Sequence, residues 1–126
     1  MQRGTVRRRR RNILLISIAA IVVAAAAWAL WPVGRAFDKA VWHDEKQESA
    51  RLEMADRIVA RRMLDGKARA EVTAMLGEPT KTGYFSDWSL VYWLGPERGF
   101  MNIDSEWLVV RFDANDRVSE YRIVRD

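Results

Sequence analysis

The stretch from Ile13 to Trp31 constrains this chain more than any other. It runs nineteen residues with Ser17 as its one polar member and no charge. As a helix it reaches roughly 28 Å, close to the ~30 Å hydrocarbon thickness of a bilayer. Trp28 and Trp31 stand at its far end, where amphipathic aromatic rings favour the membrane–water boundary. Arg7, Arg8, Arg9, Arg10 and Arg11 come just before it. Clustered arginines beside an apolar span resist translocation, so they hold the N-terminus in the cytoplasm and send the C-terminal portion across. The spacing predicts a basic cytoplasmic tail over 1–12 and one transmembrane helix over 13–31, with the lipid bilayer as its partner. A cleavable signal peptide is the alternative, because alanines at 24–27 and Ala29 permit cleavage after Ala27 or Ala29. The apolar run exceeds the ~7–15 residues of a usual signal core, which favours an uncleaved anchor. Both readings place the remainder outside the cytoplasm.

The formal charge of +4 belongs to the tail. Six of the 21 basic residues lie in the first twelve positions, and 15 basic against 17 acidic residues remain from Pro32 onward. A slightly acidic remainder argues against a nucleic-acid partner. The chain has no cysteine, which excludes disulfides, thiolate catalysis, cysteine-ligated metals and lipidation on cysteine.

Beyond the span, Pro32 and Gly34 interrupt the helix. The stretch from Trp42 to Ser49 is almost wholly polar, and 32–50 reads as a solvated linker or stalk. A packing stripe then runs through Leu52, Ala55, Ile58 or Val59, and Met63 at steps of three and four. Gly66 offers a cap for that helix, and a second helix over Arg69–Leu76 ends at Gly77 and Pro79. After Pro79 the period changes to two, giving strands over Trp88–Leu94, Glu106–Phe112 and Val118–Val124. The expected fold class is α+β: an N-terminal transmembrane helix, then a domain over 51–126 with two helices on a three-stranded antiparallel sheet (ααβββ).

Candidate chemistry is thin. His43, Asp44 and Glu45 are consecutive, so on a helix they diverge and cannot converge on one ion. Asp113 and Asp116 lack the spacing and oxygen count of a calcium loop and read as turn chemistry. Asp104 and Glu106 lack an identifiable partner for acid–base work. Ser86, Ser89, Ser105 and Ser119 have no histidine in the domain to activate them. The expectation is no enzyme, no cofactor and no metal.

The strands carry apolar residues on both faces, whereas a sheet covered on one face should alternate cleanly. A symmetric first hairpin pairs positions that sum to 200, placing Tyr92 with Leu108 on the core face and Trp93 with Trp107 on the other. A four-residue turn over Asp113–Asp116 makes second-hairpin partners sum to 229, so Trp107 faces Arg122. The second face then holds Val91, Trp93, Trp107 and Val109, edged by Arg122. Either the loop from Lys81 to Asp87 or a second copy of the chain covers it, or it is an exposed patch that binds a protein partner.

Three segments, Leu64-Asp65-Gly66, Arg69-Ala70-Glu71-Val72 and Met75-Leu76-Gly77-Glu78-Pro79, resemble the helix-turn-helix signature of the SmpA/OmlA (BamE-like) domain family. Val91-Tyr92-Trp93, the run from Leu108 to Asp113, and Val118 are similar to that domain's strands. The resemblance covers roughly 51–125 and implies a non-catalytic, extracytoplasmic role in protein binding, in the bacterial cell envelope or outer-membrane assembly. The best-known members are lipoproteins held by a lipidated cysteine. This chain has a membrane helix instead, which implies the bacterial inner membrane. Where the family often caps its second helix with Ser or Thr, this chain has Lys67-Ala68.

Overall fold

The computed structural model describes residues 3–126. Helix α1 spans Arg3–Leu30, and the compact unit after it begins at Val33. Within α1, Arg8–Leu30 is long and apolar enough to cross a membrane, with a mean hydropathy of 2.7. Ser17, the polar exception between Ile13 and Trp31, donates its hydroxyl back to the Ile13 carbonyl at 2.9 Å, so that side chain needs no water.

The compact unit contains α2 (Lys39–His43), α3 (Glu48–Ala60), α4 (Arg69–Leu76) and strands β1 (Leu90–Pro96), β2 (Ser105–Phe112) and β3 (Val118–Arg125). The sheet is antiparallel in the order β1-β2-β3. The α+β expectation thus holds at the level of helices and a three-stranded antiparallel sheet, with α2 as an additional helix. The stripe of α3 buries Leu52, Ala55 and Ile58 as its spacing predicts, and adds Met54. These pack with Val72 and Leu76 of α4 against Leu90, Tyr92, Leu108 and Val110 on one sheet face.

The stretch over 32–50 is not a solvated stalk. Asp38 caps α2 by accepting from Ala40 N–H at 2.9 Å and Val41 N–H at 3.1 Å. Trp42 is only 4 % exposed, and its indole N–H donates to the Leu76 carbonyl at 3.0 Å. One large aromatic ring supplies enough apolar area to dock a helix too short to show periodicity. Upstream, the strap Val33–Arg35 lies on α3. Arg35 N–H donates to the Glu53 carbonyl at 3.1 Å, and Arg57 Nη1 donates to the Val33 carbonyl at 3.4 Å. Gly34 sits at φ +58 with space for no side chain, since a Cβ there would fall 2.2 Å from the Glu53 carbonyl oxygen.

Helix α3 ends at Ala60, earlier than a cap at Gly66 implies. Arg62 takes a positive φ at the helix end, and Gly66, also at positive φ (+64), turns the chain so that its N–H reaches the Val118 carbonyl at 3.4 Å. Helix α4 has the expected bounds. In place of a side-chain N-cap, Glu71 Oε2 accepts from Ala68 N–H at 2.7 Å, which satisfies one otherwise unpaired donor.

The first hairpin has the expected register from Leu90↔Val110 to Trp93↔Trp107 and slips only at a bulge before Gly95. The second departs from its expected register. Asp113 Oδ1 accepts from both Asn115 and Arg117 N–H, Asp116 takes φ +57, and Asp113 N–H reaches the Arg117 carbonyl at 2.8 Å. The longer turn and a bulge near Ser119 move the pairing by two, so Trp107 faces Val124 and Arg122 faces Val109. A slip of two leaves each residue on its expected face.

The second face of the sheet is internal, which corrects the exposed-patch reading. Val91, Trp107 and Val109 are buried together with Trp88, and Phe85, Trp93 and Val124 pack on them. The segment after Pro79 folds across this face. Thr80 N–H donates to the Val91 carbonyl at 2.8 Å, and Thr80 Oγ1 accepts from Trp93 N–H at 2.9 Å. Tyr84 and Phe85 then stack on Trp107 at 5.9 and 6.0 Å between ring centroids. Arg122 lies over Trp88 at 5.1 Å, beside Arg111 at 4.1 Å, and not on Trp107. Apolar strands on both faces therefore reflect two small cores.

Candidate functional site

Two helix C-termini converge at one end of the compact unit, and each brings carbonyls that its own helix cannot satisfy. At the end of α2, Arg51 Nε donates to the Trp42 carbonyl and Nη2 to the Asp44 carbonyl, both at 3.0 Å. This explains why an arginine on α3 is buried: its guanidinium fork is a fixed cap for α2. At the end of α4, Trp42 caps Leu76, and the Tyr92 hydroxyl donates to the Gly77 carbonyl at 3.0 Å. Burial, reinforced by the nearby Glu78 carboxylate, pushes the Tyr92 phenol up to about 12, so it remains a donor throughout the physiological range.

These caps form the floor of an open cleft of about 580 Å³. Trp42, Tyr92 and half-buried Trp93 give it an aromatic wall, and Glu45, Glu48 and Glu78 stand around it. None of the three carboxylates joins an ion pair among the described residues. The Arg51 guanidinium lies 6.0 Å from the Trp93 ring centre, with its donors engaged by carbonyls. Two helix C-termini carry partial negative charge, and with three carboxylates against one occupied arginine the cleft is electronegative. An aromatic wall under a negative rim suits a cationic side chain with an apolar stem, such as lysine or arginine.

His43 packs its ring on Gly77, where an added Cβ would lie 2.5 Å from His43 Cε1. Among the described residues no group of three or more His, Asp or Glu side chains is placed to hold a metal. Glu106 does not pair with Asp104. It is buried under Arg98, which donates to its carboxylate at 2.6 Å through Nη2 and 3.1 Å through Nε. Asp113 organises its turn, and Asp116 accepts from Arg69 Nε at 3.0 Å.

Of the residues expected to bind a partner, Val91, Trp107 and Val109 lie in the second core and are inaccessible. Trp93 alone reaches the cleft, and Arg122 is exposed on the other side of the sheet from the main core. The arginines at 7–11 fall within α1, with Arg8 to Arg11 exposed. Trp42, Arg51 and the three glutamates are not legible as a site in the sequence, because they come from separate elements. The one available signal is a lone tryptophan inside a polar stretch. No protein-family model matches the chain, and neither a curated protein nor a solved structure does.

Proposed function

We propose that this chain is a non-catalytic, membrane-anchored binding module of the bacterial cell envelope, in which α1 crosses the inner membrane with the arginines at 7–11 in the cytoplasm. The compact unit lies outside the cytoplasm and takes a basic segment of a protein partner into the aromatic, carboxylate-rimmed cleft. The apolar window Arg8–Leu30 supports the anchor, and the arginine cluster beside it supports the orientation. The likeness of the α4 region and the strands to the SmpA/OmlA domain belongs to the same proposal, as the kind of envelope module this unit represents. The observation that carries the binding reading is the set of unpaired carboxylates at Glu45, Glu48 and Glu78 beside Trp93.

The test is site-specific photo-crosslinking in native membranes, with the photoreactive residue at Glu45 and, as a control, at Asn115 on the β2–β3 turn. A discrete protein adduct is expected at position 45 and not at 115, and Glu48→Gln with Glu78→Gln should remove it. Equal labelling at both positions, or an adduct unaffected by removing both charges, would overturn the cleft as the binding site.

A further inference from the structure

The β1–β2 loop ends in a bare apolar tip. Phe100 is fully exposed, and Met101 and Ile103 are 67 % and 72 % exposed. The remainder of the tip, Gly99 and Asn102, carries no charge. A soluble surface rarely presents three large apolar side chains together on a protrusion without a use for them.

The tip is held rigidly from beneath. Arg98 donates to both carboxylate oxygens of Asp56 on α3, at 2.5 and 3.0 Å, and simultaneously to buried Glu106 on β2. Its N–H also donates to Glu106 Oε1 at 2.9 Å. Arg125 of β3 pairs with Glu97 at the loop's root. With the Asn102 amide turned so that its nitrogen faces two carbonyls, it donates to Glu97 O at 2.6 Å and Gly99 O at 2.9 Å. The Asn102 amide thus satisfies two loop carbonyls, and three apolar side chains turn outward.

Position identifies what the tip meets. The strap that brings the chain in from α1 is pinned to α3 at Glu53 and Arg57, and the loop is pinned to the same helix at Asp56. Entry point and loop root are thus both held by the stretch of α3 from Glu53 to Arg57. Only Trp31 and Pro32 separate the end of α1 from the compact unit.

We propose that Phe100, Met101 and Ile103 insert into the bilayer interface, giving the compact unit a second, non-covalent hold on the membrane. This rests on α1 being a membrane anchor. Three apolar side chains exposed by two thirds or more on a protrusion suit lipid better than a protein partner. Its lack of charge, with Glu97 and Asp104 flanking it, means that insertion relies on apolar contact and needs no anionic headgroup.

The experiment uses the full chain reconstituted in phosphatidylcholine vesicles. With no native cysteine, single cysteines at Phe100, Met101, Ile103, Ala25 and Asn115 each carry one environment-sensitive fluorophore. Labels at 100, 101 and 103 are expected to shift to the blue and be quenched at least twofold by nitroxide lipids, as the label at 25 is, while the label at 115 is not. Adding anionic lipid should leave the quenching unchanged. Quenching at 25 with none at 100, 101 and 103 would overturn the insertion and leave the anchor intact. Absence of quenching at 25 would remove both. A blue shift at 100 without lipid quenching would assign the tip to a contact between copies of the chain, and would equally overturn the proposal.

Discussion

Arg98→Met tests the brace on which the tip and one edge of the sheet depend. Glu106 is 2 % exposed, and hydrogen bonds from the Arg98 side chain hold its carboxyl below the ordinary glutamate range against the opposing effect of burial. Removing one partner of a buried ion pair typically destabilises by about 3–5 kcal/mol, because a buried charge is left uncompensated. Two features lower that figure here. The Arg98 side chain is 43 % exposed and therefore partly screened, and Arg125 Nη2 remains 3.9 Å from Glu106. The expected loss is then about 2 kcal/mol at pH 7, or roughly 8–16 °C in Tm at ~4–8 °C per kcal/mol for a unit of this size.

The pH dependence has a definite sign. In the parent the folded-state pKa of Glu106 is depressed, so its contribution is present above the unfolded value of ~4.3 and is lost as pH falls through the folded value. In the variant, burial without Arg98 raises that pKa, so the penalty is greatest at pH 7 and shrinks toward pH 4.5 as the carboxyl takes up a proton. Adding Glu106→Gln to Arg98→Met should recover at least half the loss at pH 7. Near-ultraviolet circular dichroism of the full chain in detergent reads the transition through buried Trp42, Trp88 and Trp107. A variant that melts with the parent at pH 7, or whose deficit is the same at pH 4.5, would refute the view that Arg98 neutralises a buried carboxylate.

Two further substitutions probe other parts of the unit. Gly77→Val places a β-branched residue at φ +84 with its Cβ in the His43 ring; a loss of about 1–2 kcal/mol is expected from the backbone alone, and an unchanged urea midpoint would contradict the packing of α2 on the end of α4. Trp107→Ala should destabilise by about 3–5 kcal/mol as a buried aromatic, whereas an unaltered Tm would restore the exposed-patch reading of the second sheet face.

What the sequence makes legible is what period and turn chemistry encode. The bounds of α4 come from its apolar spacing and from Gly77, and the face assignment of β1 and β2 from strict alternation. The first hairpin register is readable because symmetric closure of the loop from Gly95 to Asp104 pairs apolar residues on both faces. The second hairpin escapes such reading because an aspartate that accepts two backbone N–H groups lengthens a turn without changing its composition. The 32–50 stretch escapes it because α2 is five residues long and buries a single large ring, Trp42, which leaves no period to read. For the second core, alternation shows that a face is apolar and does not show what covers it, so three readings stand until the structure decides. The cleft lies beyond sequence reading altogether, since it forms where caps from α3 and β1 meet the ends of α2 and α4.

The strap at Gly34 sets a reach. Straightening Val33–Ala36 away from α3 breaks the contacts to Glu53 and Arg57 while Phe37, packed against the main core and 5.8 Å from the Trp42 ring, stays in place. Four residues at ~3.3 Å each span at most roughly 13 Å when fully extended. The strap is thus the one part of the compact unit that could detach without disturbing the core beneath Phe37. A pull on the chain at Val33 would be taken first by these two hydrogen bonds, sparing the cleft.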